Sequence, residues 1–137
     1  MTDADKKCQV TLPATFKADA SGSGNATSTD NNAFLNLVSF DSTLGLQTTS
    51  DLFIEGFKGS IEGYKETNRQ SGTDRGRPYS VVTFTGTLAG ESIVGQFYFV
   101  QEPATICTMS FLVKQSVSAQ YGDTVGNLAD SLQAVKP

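Results

Sequence analysis

Histidine is absent from this chain of 137 residues. Because imidazole is the usual general base near neutral pH, its absence excludes Ser–His and Cys–His activation of a nucleophile. Paired carboxylates remain as a catalytic alternative. Glu55 and Glu62, however, fall on the charged face of a predicted helix, and Asp19 and Asp30 flank a polar loop. We therefore predict that the protein is not an enzyme.

Basic residues are also few. Ten lysines and arginines stand against fourteen aspartates and glutamates, which gives a net charge of −4. Proteins that bind nucleic acid through its phosphates carry a basic face, so we predict no nucleic-acid partner. No apolar run approaches the roughly 20 residues that a membrane-spanning helix needs, so we predict no transmembrane segment.

Charged residues as a class make up only 18% of the chain, against about 25% in an average soluble protein. Uncharged polar residues take their place, a composition that suits a β-rich protein outside the cytoplasm. We therefore expect an exported protein of the periplasm, cell envelope or lumen, or a secreted one, whose signal peptide is not part of this sequence.

Only two cysteines are present, Cys8 and Cys107. A zinc site usually needs four nitrogen or sulfur ligands, so without histidine this pair does not predict one. Two alternatives remain, a disulfide that closes a long loop and two buried free thiols. The oxygen-rich stretches that begin at Asp30 and Asp41 lack the spacing of a calcium-binding EF-hand. We predict no metal site and no cofactor.

Three extended runs in the second half of the chain predict an antiparallel meander. Residues 79–88, 93–100 and 105–113 are rich in β-branched and aromatic side chains, and short turn-forming stretches separate them. Residues 8–12 and 33–40 predict two earlier strands, and the polar residues 21–32 between them predict a solvated loop. Within the last run one face carries Cys107, Met109, Phe111 and Val113.

Helical periodicity appears in two places. Residues 50–66 place Phe53, Phe57, Ile61 and Tyr64 on one stripe, with Thr48 as the predicted cap, and residues 124–135 form a second amphipathic pattern capped by Asp123 or Thr124. The sequence therefore predicts an α+β fold: an antiparallel sheet of five to six strands with a central and a C-terminal helix packed on it. We expect one domain over residues 1–137, with residues 1–7 disordered.

Two groups of residues are candidates for a binding surface. Gly56, Gly59 and Gly63 form a stripe on the predicted central helix, where each costs about 1 kcal/mol relative to alanine. This cost predicts either close approach of a neighbouring strand or loop, or a groove for a partner. Arg75 and Arg77 lie in a polar stretch that is either a solvated hairpin tip or a contact for an anion or a partner.

Several short patterns resemble a PsbP/Mog1-type domain. They are the opening Cys8-Gln-Val-Thr-Leu-Pro13 with Phe16, the run Phe97-Tyr-Phe99, the strand Cys107-Thr-Met-Ser-Phe111 and the closing Leu128-Ala-Asp-Ser-Leu132. The resemblance spans nearly the whole chain. Members of that superfamily include a lumenal photosystem subunit, a small-GTPase-binding factor, envelope lipoproteins and secretion-effector chaperones. The resemblance implies accessory binding rather than catalysis, and it supplies no functional residue.

The lipoprotein branch of this superfamily is anchored through a cysteine that follows small apolar residues. Asp5-Lys-Lys-Cys8 departs from that pattern, so the resemblance does not imply a lipid on Cys8.

Two functions are consistent with the sequence. The first is a non-enzymatic module that binds another protein through the Gly56, Gly59 and Gly63 side of the helix or through Arg75 and Arg77. The second is a carrier that holds a small apolar ligand between sheet and helix. The first predicts an exposed patch beside a filled core, and the second an enclosed cavity of about 300 Å³ or more. The residues that would line such a cavity are Phe53, Phe57, Phe97 and Phe99.

Overall fold

The computed structural model describes residues 1–136, which form a seven-stranded sheet, a separate two-stranded pair and two helices. The strands of the sheet follow the order β2-β3-β4-β8-β7-β6-β5, and all neighbours are antiparallel. The bounds are β1 Cys8–Gln9, β2 Phe16–Ala18, β3 Asn25–Ser28, β4 Ala33–Asp41, α1 Gly45–Lys58, β5 Glu62–Asp74, β6 Arg77–Leu88, β7 Glu91–Gln101, β8 Thr105–Lys114, a 3-10 helix Gln115–Tyr121, α2 Gly122–Ser131 and β9 Gln133–Ala134.

The predicted α+β class is confirmed, and the predicted meander is present as β6, β7 and β8. β8 occupies the centre of the sheet, where it pairs with β4 on one side and β7 on the other. Its alternation confirms the predicted face, because Cys107, Met109, Phe111 and Val113 all belong to one core cluster. The sheet has seven strands instead of five to six, because β2, β3 and β5 join it, whereas the predicted first strand forms β1 of the separate pair.

The two helices lie on opposite faces of the sheet. Leu128 and Leu132 of the C-terminal segment pack on the face that carries Met109, whereas Ile54 of α1 packs on the face that carries Phe84. Each face therefore has its own apolar core, and the strands of the meander contribute to both because their side chains alternate.

The central helix begins five residues earlier and ends eight residues earlier than the predicted range of residues 50–66. α1 begins at Gly45, so Thr48 lies inside it and does not cap it, and it ends at Lys58. The chain then turns into β5, which pairs with β6 through two register shifts. Ile61 and Tyr64 still pack on the α1 core, so the apolar spacing continued across the true boundary.

One of the added strands lies within the stretch predicted to be a solvated loop. β3 pairs with β2 and β4, and it buries Ala26 and Ser28 although residues 21–32 carry no large apolar side chain. The Ser28 hydroxyl oxygen accepts hydrogen bonds from the backbone N–H groups of Asn32 and Ala33, and these bonds stabilise the β3–β4 turn. The buried positions of β3 hold a small side chain and a hydroxyl side chain, so the hydrophobic pattern of the sequence did not predict this strand.

Residues 1–7 were expected to be disordered, whereas the structure shows hydrogen bonds that hold this segment through Asp3. The buried Asp3 carboxylate accepts hydrogen bonds from the backbone N–H groups of Lys7 and Cys8, both at 2.8 Å, and from the Ser39 hydroxyl at 2.6 Å. Burial alone would raise the pKa of Asp3, but these hydrogen bonds together lower it below its ordinary value. A single carboxylate thus organises a polar segment that has no apolar pattern.

The C-terminal helix begins earlier than predicted and ends sooner. A 3-10 turn leads into α2, Asp123 lies in the first helical turn, and no side chain caps the helix start. β9 then pairs with β1, which brings the two ends of the chain together on one face of the sheet.

Candidate functional site

α1 packs over β6 and β7 and leaves the part of the sheet near β4 uncovered. An open concavity of about 570 Å³ lies there, between the helix and the end of β4. We call it the α1 groove. Most of its surface is apolar, and Asp41 is the one charged residue among those that line it. The lining residues are Phe40, Asp41, Leu44, Thr49, Leu52, Phe53, Gly56, Phe57 and Ser60.

A second apolar concavity, of about 450 Å³, adjoins the first through the shared Phe57. It includes Phe34 of β4 and Leu88 of β6, so we call it the Phe34 hollow. Large apolar side chains that are exposed are few in residues 1–136, and all four line these two concavities. They are Leu44 and Leu52, each 59% exposed, and Phe34 and Leu88, each 37% exposed.

The space directly between α1 and the sheet is filled by aromatic rings. The centroids of Phe53 and Phe97 lie 5.4 Å apart, those of Phe57 and Phe97 4.9 Å, and those of Phe84 and Phe97 4.6 Å. Gly95 makes this packing possible, since a Cβ there would collide with the Phe84 ring. Of the four residues predicted to line a ligand cavity, Phe97 and Phe99 are therefore buried in the core of this face, and Phe53 and Phe57 pack on them and also line the open groove.

The three glycines of the predicted stripe occupy three different settings. Gly56 lies inside α1 on the wall of the groove, Gly59 caps the helix end, and Gly63 follows in β5 with φ +65°. A Cβ added at any of the three would meet nothing within 4 Å. Close approach of a neighbouring segment therefore explains none of them, and only Gly56 contributes to the groove.

Arg75 and Arg77, predicted as a hairpin tip or a partner contact, lie at the tip of the β5–β6 hairpin and bind the end of α2. Arg77 forms an ion pair with Glu102 at 2.9 Å and donates to the Leu132 carbonyl at 3.0 Å. Arg75 donates to the Asp130 carbonyl at 2.8 Å. Both satisfy carbonyl groups at a helix C-terminus, where positive charge is also favoured. These contacts give the arginines a role within the fold.

The two cysteines form a disulfide, which decides between the two alternatives that the sequence left open. Cys8 and Cys107 are fully buried, with their Cα atoms 5.7 Å apart. The bond fastens β1, and with it the N-terminal segment, to the central strand β8 on the α2 face.

Sequence reasoning missed the apolar residues that define the groove. Leu44 precedes the predicted helix, and Leu52 falls on the glycine stripe and not on the apolar one, so neither belonged to a recognised pattern. Within residues 1–136, no three Asp, Glu or Cys side chains come together in a way that would hold a metal ion. Nor is any helix of that range long and apolar enough to cross a membrane.

No protein-family model matches the sequence, and no curated protein sequence matches it at a significant level. Comparison with solved structures is informative. The cyanobacterial PsbP protein of Synechocystis superposes with a TM-score of 0.70 at 10% identity, over 98% of this chain and 91% of that one. The protein has a PsbP/Mog1-like fold.

Two further structures share this PsbP/Mog1-like fold. LpqN of Mycobacterium tuberculosis, which is involved in cell envelope biogenesis, has a TM-score of 0.68 at 11% identity and covers 94% of this chain and 83% of its own. The Ran-binding protein Mog1p of Saccharomyces cerevisiae has a TM-score of 0.58 at 8% identity, over 99% of this chain and 94% of its own. At such low identity the similarity shows the fold alone.

Proposed function

We propose that this PsbP/Mog1-like domain is a non-enzymatic binding module outside the cytoplasm, and that its α1 groove receives an apolar segment of another protein. The observation that carries the proposal is the collection of all four exposed large apolar side chains in residues 1–136 along the groove and the Phe34 hollow. Exposed apolar patches with polar surroundings are typical of protein-binding surfaces.

The charge distribution on α1 supports an apolar occupant. The residues that α1 contributes to the groove are uncharged, whereas its ion pairs lie on the other side of the helix. Lys58 pairs with Glu55 at 2.9 Å, and Asp51 pairs with Arg69 of β5 at 3.0 Å. A partner side chain entering the groove would therefore bury apolar surface without removing an ion pair from water.

The shape of the site favours a protein over an enclosed ligand. The aromatic rings fill the interior, and the groove and hollow are open, so a large part of any occupant would remain in contact with solvent. Gly56 on the groove wall leaves room for an occupant at the cost of helix stability. The structural neighbour Mog1p is a Ran-binding protein, which supports a protein partner for this fold.

Location outside the cytoplasm rests on the buried disulfide. Disulfides form and persist in oxidising compartments and are rare in the cytosol. The low content of charged residues and the similarity to LpqN, a protein of cell envelope biogenesis, point the same way.

A small apolar ligand is a second candidate, favoured by one observation. The groove volume of about 570 Å³ falls within the range of about 300–1,000 Å³ for small-molecule sites. Mass spectrometry of the protein purified from its source under native conditions separates the two candidates. A bound small molecule that is lost in Leu52→Asp would support the ligand and count against the protein partner.

Site-specific photo-cross-linking tests the proposed protein partner. A photo-reactive residue replaces Leu52 in the groove or, as the control, Lys58 on the charged side of the same helix. In the extracytoplasmic fraction of the source cells, we expect one discrete adduct from position 52, at about one partner per chain, and none from position 58. The adduct should disappear when Leu44→Asp is added. Equal labelling from both positions would contradict the proposal.

A further inference from the structure

The edge strand β5 is the longest strand of the sheet, at 13 residues, and it lies open to solvent. Only Tyr64 and Asp74 are half-buried, and the remaining side chains are exposed. A strand at the edge of a sheet has backbone N–H and C=O groups on its outer side that can pair with another strand. The opposite edge strand, β2, has three residues and offers much less.

The two halves of β5 differ in how they resist such pairing. The first half contains both register shifts, together with Lys65 and Glu66, and bulges and charges are the usual means of protecting an edge. Residues 68–74 pair with β6 without interruption, and the four residues between Arg69 and Asp74 are uncharged and include no proline. Between Arg69 and Asp74 the edge therefore carries no such protection.

The hairpin turn determines which amides of this half point outward. Asp74 pairs with Arg77 across a two-residue turn, in which Arg75 and Gly76 have φ of 52° and 75°. Two left-handed residues are the signature of a type I′ turn, whose flanking residues form a hydrogen-bonded pair.

Hydrogen-bonded and non-hydrogen-bonded pairs alternate along an antiparallel ladder. Counted from the turn, Thr73, Ser71 and Arg69 therefore direct their N–H and C=O groups away from β6. Pro78, the register partner of Thr73, agrees with this count, because proline has no N–H to give to β5.

We propose that β5 is a self-association surface, on which the β5 strand of a second copy of this chain adds antiparallel to the first. The two-fold axis lies at Ser71, the middle of residues 68–74. Ser71 then faces Ser71 of the second copy, Arg69 faces Thr73, and Gln70 faces Gly72. The two sheets join into one of fourteen strands.

Charge selects this register over its neighbours. With the axis at Gln70, Asp74 would run alongside the irregular stretch that contains Glu66, and with the axis at Gly72, Arg69 would lie level with Arg75 of the second copy. Like charges opposite each other on paired strands are destabilising. With the axis at Ser71, no two like charges of residues 66–76 face each other.

This surface is separate from the α1 groove, and its side chains are small and polar. A pairing of seven residues buries less than the roughly 1,200 Å² of a standard interface, so the dimer is weak and reversible. Its specificity comes from the backbone ladder and from the register.

Charge exchange at Ser71 tests the proposal. Sedimentation velocity of the wild type at rising concentration should show the mass move from one chain toward two. Ser71→Lys and Ser71→Glu each place like charges at the two-fold axis, so each alone should remain a monomer. Ser71 is exposed, so both variants should keep the wild-type circular dichroism. An equimolar mixture of the two should form the dimer again.

Cysteine cross-linking tests the register. Ser71→Cys should give a reducible dimer under mild oxidation, since its Cα atoms would lie within disulfide range. Gln70→Cys should not, because an offset of two residues separates its Cα atoms by about 8 Å. A wild type that stays monomeric at every concentration would overturn the proposal. So would a dimer that persists in Ser71→Lys or is lost in the groove variant Leu52→Asp.

Discussion

The two faces of the sheet are closed to different degrees. On the α2 face, a disulfide joins Cys8 to Cys107, Arg77 joins the β5–β6 hairpin to the C-terminal segment, and the Tyr121 hydroxyl donates to the Asp30 carboxylate at 2.7 Å. These are specific links between segments far apart in sequence. On the α1 face, the helix is held mainly by aromatic packing, with the Arg69–Asp51 ion pair at one side.

The comparison indicates that the α2 face holds the sheet together, whereas the α1 face provides the open apolar surface. The linked α2 face fixes β8 and β4 in place, and these strands carry side chains on the opposite face as well. The α1 face can therefore leave part of its apolar surface open without loss of the sheet geometry beneath. A face held by links between distant segments behind an incompletely covered face suits the binding module that we propose.

The largest expected effect comes from removal of the disulfide. Replacing both Cys8 and Cys107 by alanine should lower the free energy of unfolding by about 4–5 kcal/mol, because the bridge closes a loop of 99 residues. Denaturant unfolding of the variant and of the oxidised wild type gives the difference. A loss below about 1 kcal/mol would show that the α2 face does not depend on this link.

Arg77 gives the next effect. Arg77→Met should cost about 2–3 kcal/mol, because it leaves the nearly buried Glu102 carboxylate without its ion pair and the Leu132 carbonyl without a donor. The matched control is Arg75→Met at the same hairpin tip. Arg75 is 57% exposed and its ion pair is on the surface, so about 0–1 kcal/mol is expected. Equal losses of unfolding free energy in the two variants would contradict a stabilising role for the Arg77–Glu102 ion pair.

Local patterns in the sequence predicted the meander and the α+β class, because alternation and β-propensity act between neighbours along the chain. They failed at α1, where the apolar spacing of Phe53 and Phe57 continues through Ile61 to Tyr64 across a change from helix to strand. Pairing of residues 62–74 with β6 outweighs that periodicity. The sequence of residues 62–74 alone does not indicate that β6 will pair with it.

The candidate site was harder to predict than the fold. Gly56 was predicted as part of a possible partner surface and lies on the wall of the groove, but the groove itself depends on how α1 lies across the sheet and on the exposure of Leu44 and Leu52. Arg75 and Arg77 were predicted to form either a solvated hairpin tip or a contact for an anion or a partner, and the carbonyl groups that they bind at the end of α2 are 55 residues away in sequence. Such contacts between distant segments have no local signature.

Substitution of Gly56 tests whether the glycine on the groove wall lowers the stability of the fold. Gly56→Ala should raise the free energy of unfolding by about 1 kcal/mol, because alanine favours the helix and its Cβ meets nothing within 4 Å. Gly63→Ala, the control, should instead lower it by about 1–2 kcal/mol, since φ of +65° is strained for any residue with a Cβ. If Gly56→Ala is also destabilising, the glycine has a packing role and the groove loses that support.

The smallest effect concerns acid stability on the α2 face. Hydrogen bonds from Ser28, Tyr121 and Asn32 lower the pKa of Asp30 from its ordinary 3.8 to about 2. A carboxyl group with a lowered pKa stabilises the fold above its unfolded value and loses that contribution as the pH falls through its folded value. The contribution of Asp30 is therefore complete above about pH 4 and decreases between pH 4 and pH 2.

Asp30→Asn should accordingly be less stable than the wild type at neutral pH, and the difference in melting temperature should shrink between pH 4 and pH 2. Tyr121→Phe removes one donor and keeps the carboxylate, so it should shift the same decline toward higher pH by a smaller amount. Thermal unfolding at several pH values measures both. A difference between Asp30→Asn and the wild type that stays constant down to pH 2 would mean that the charge of Asp30 is not what links the β3–β4 turn to Tyr121.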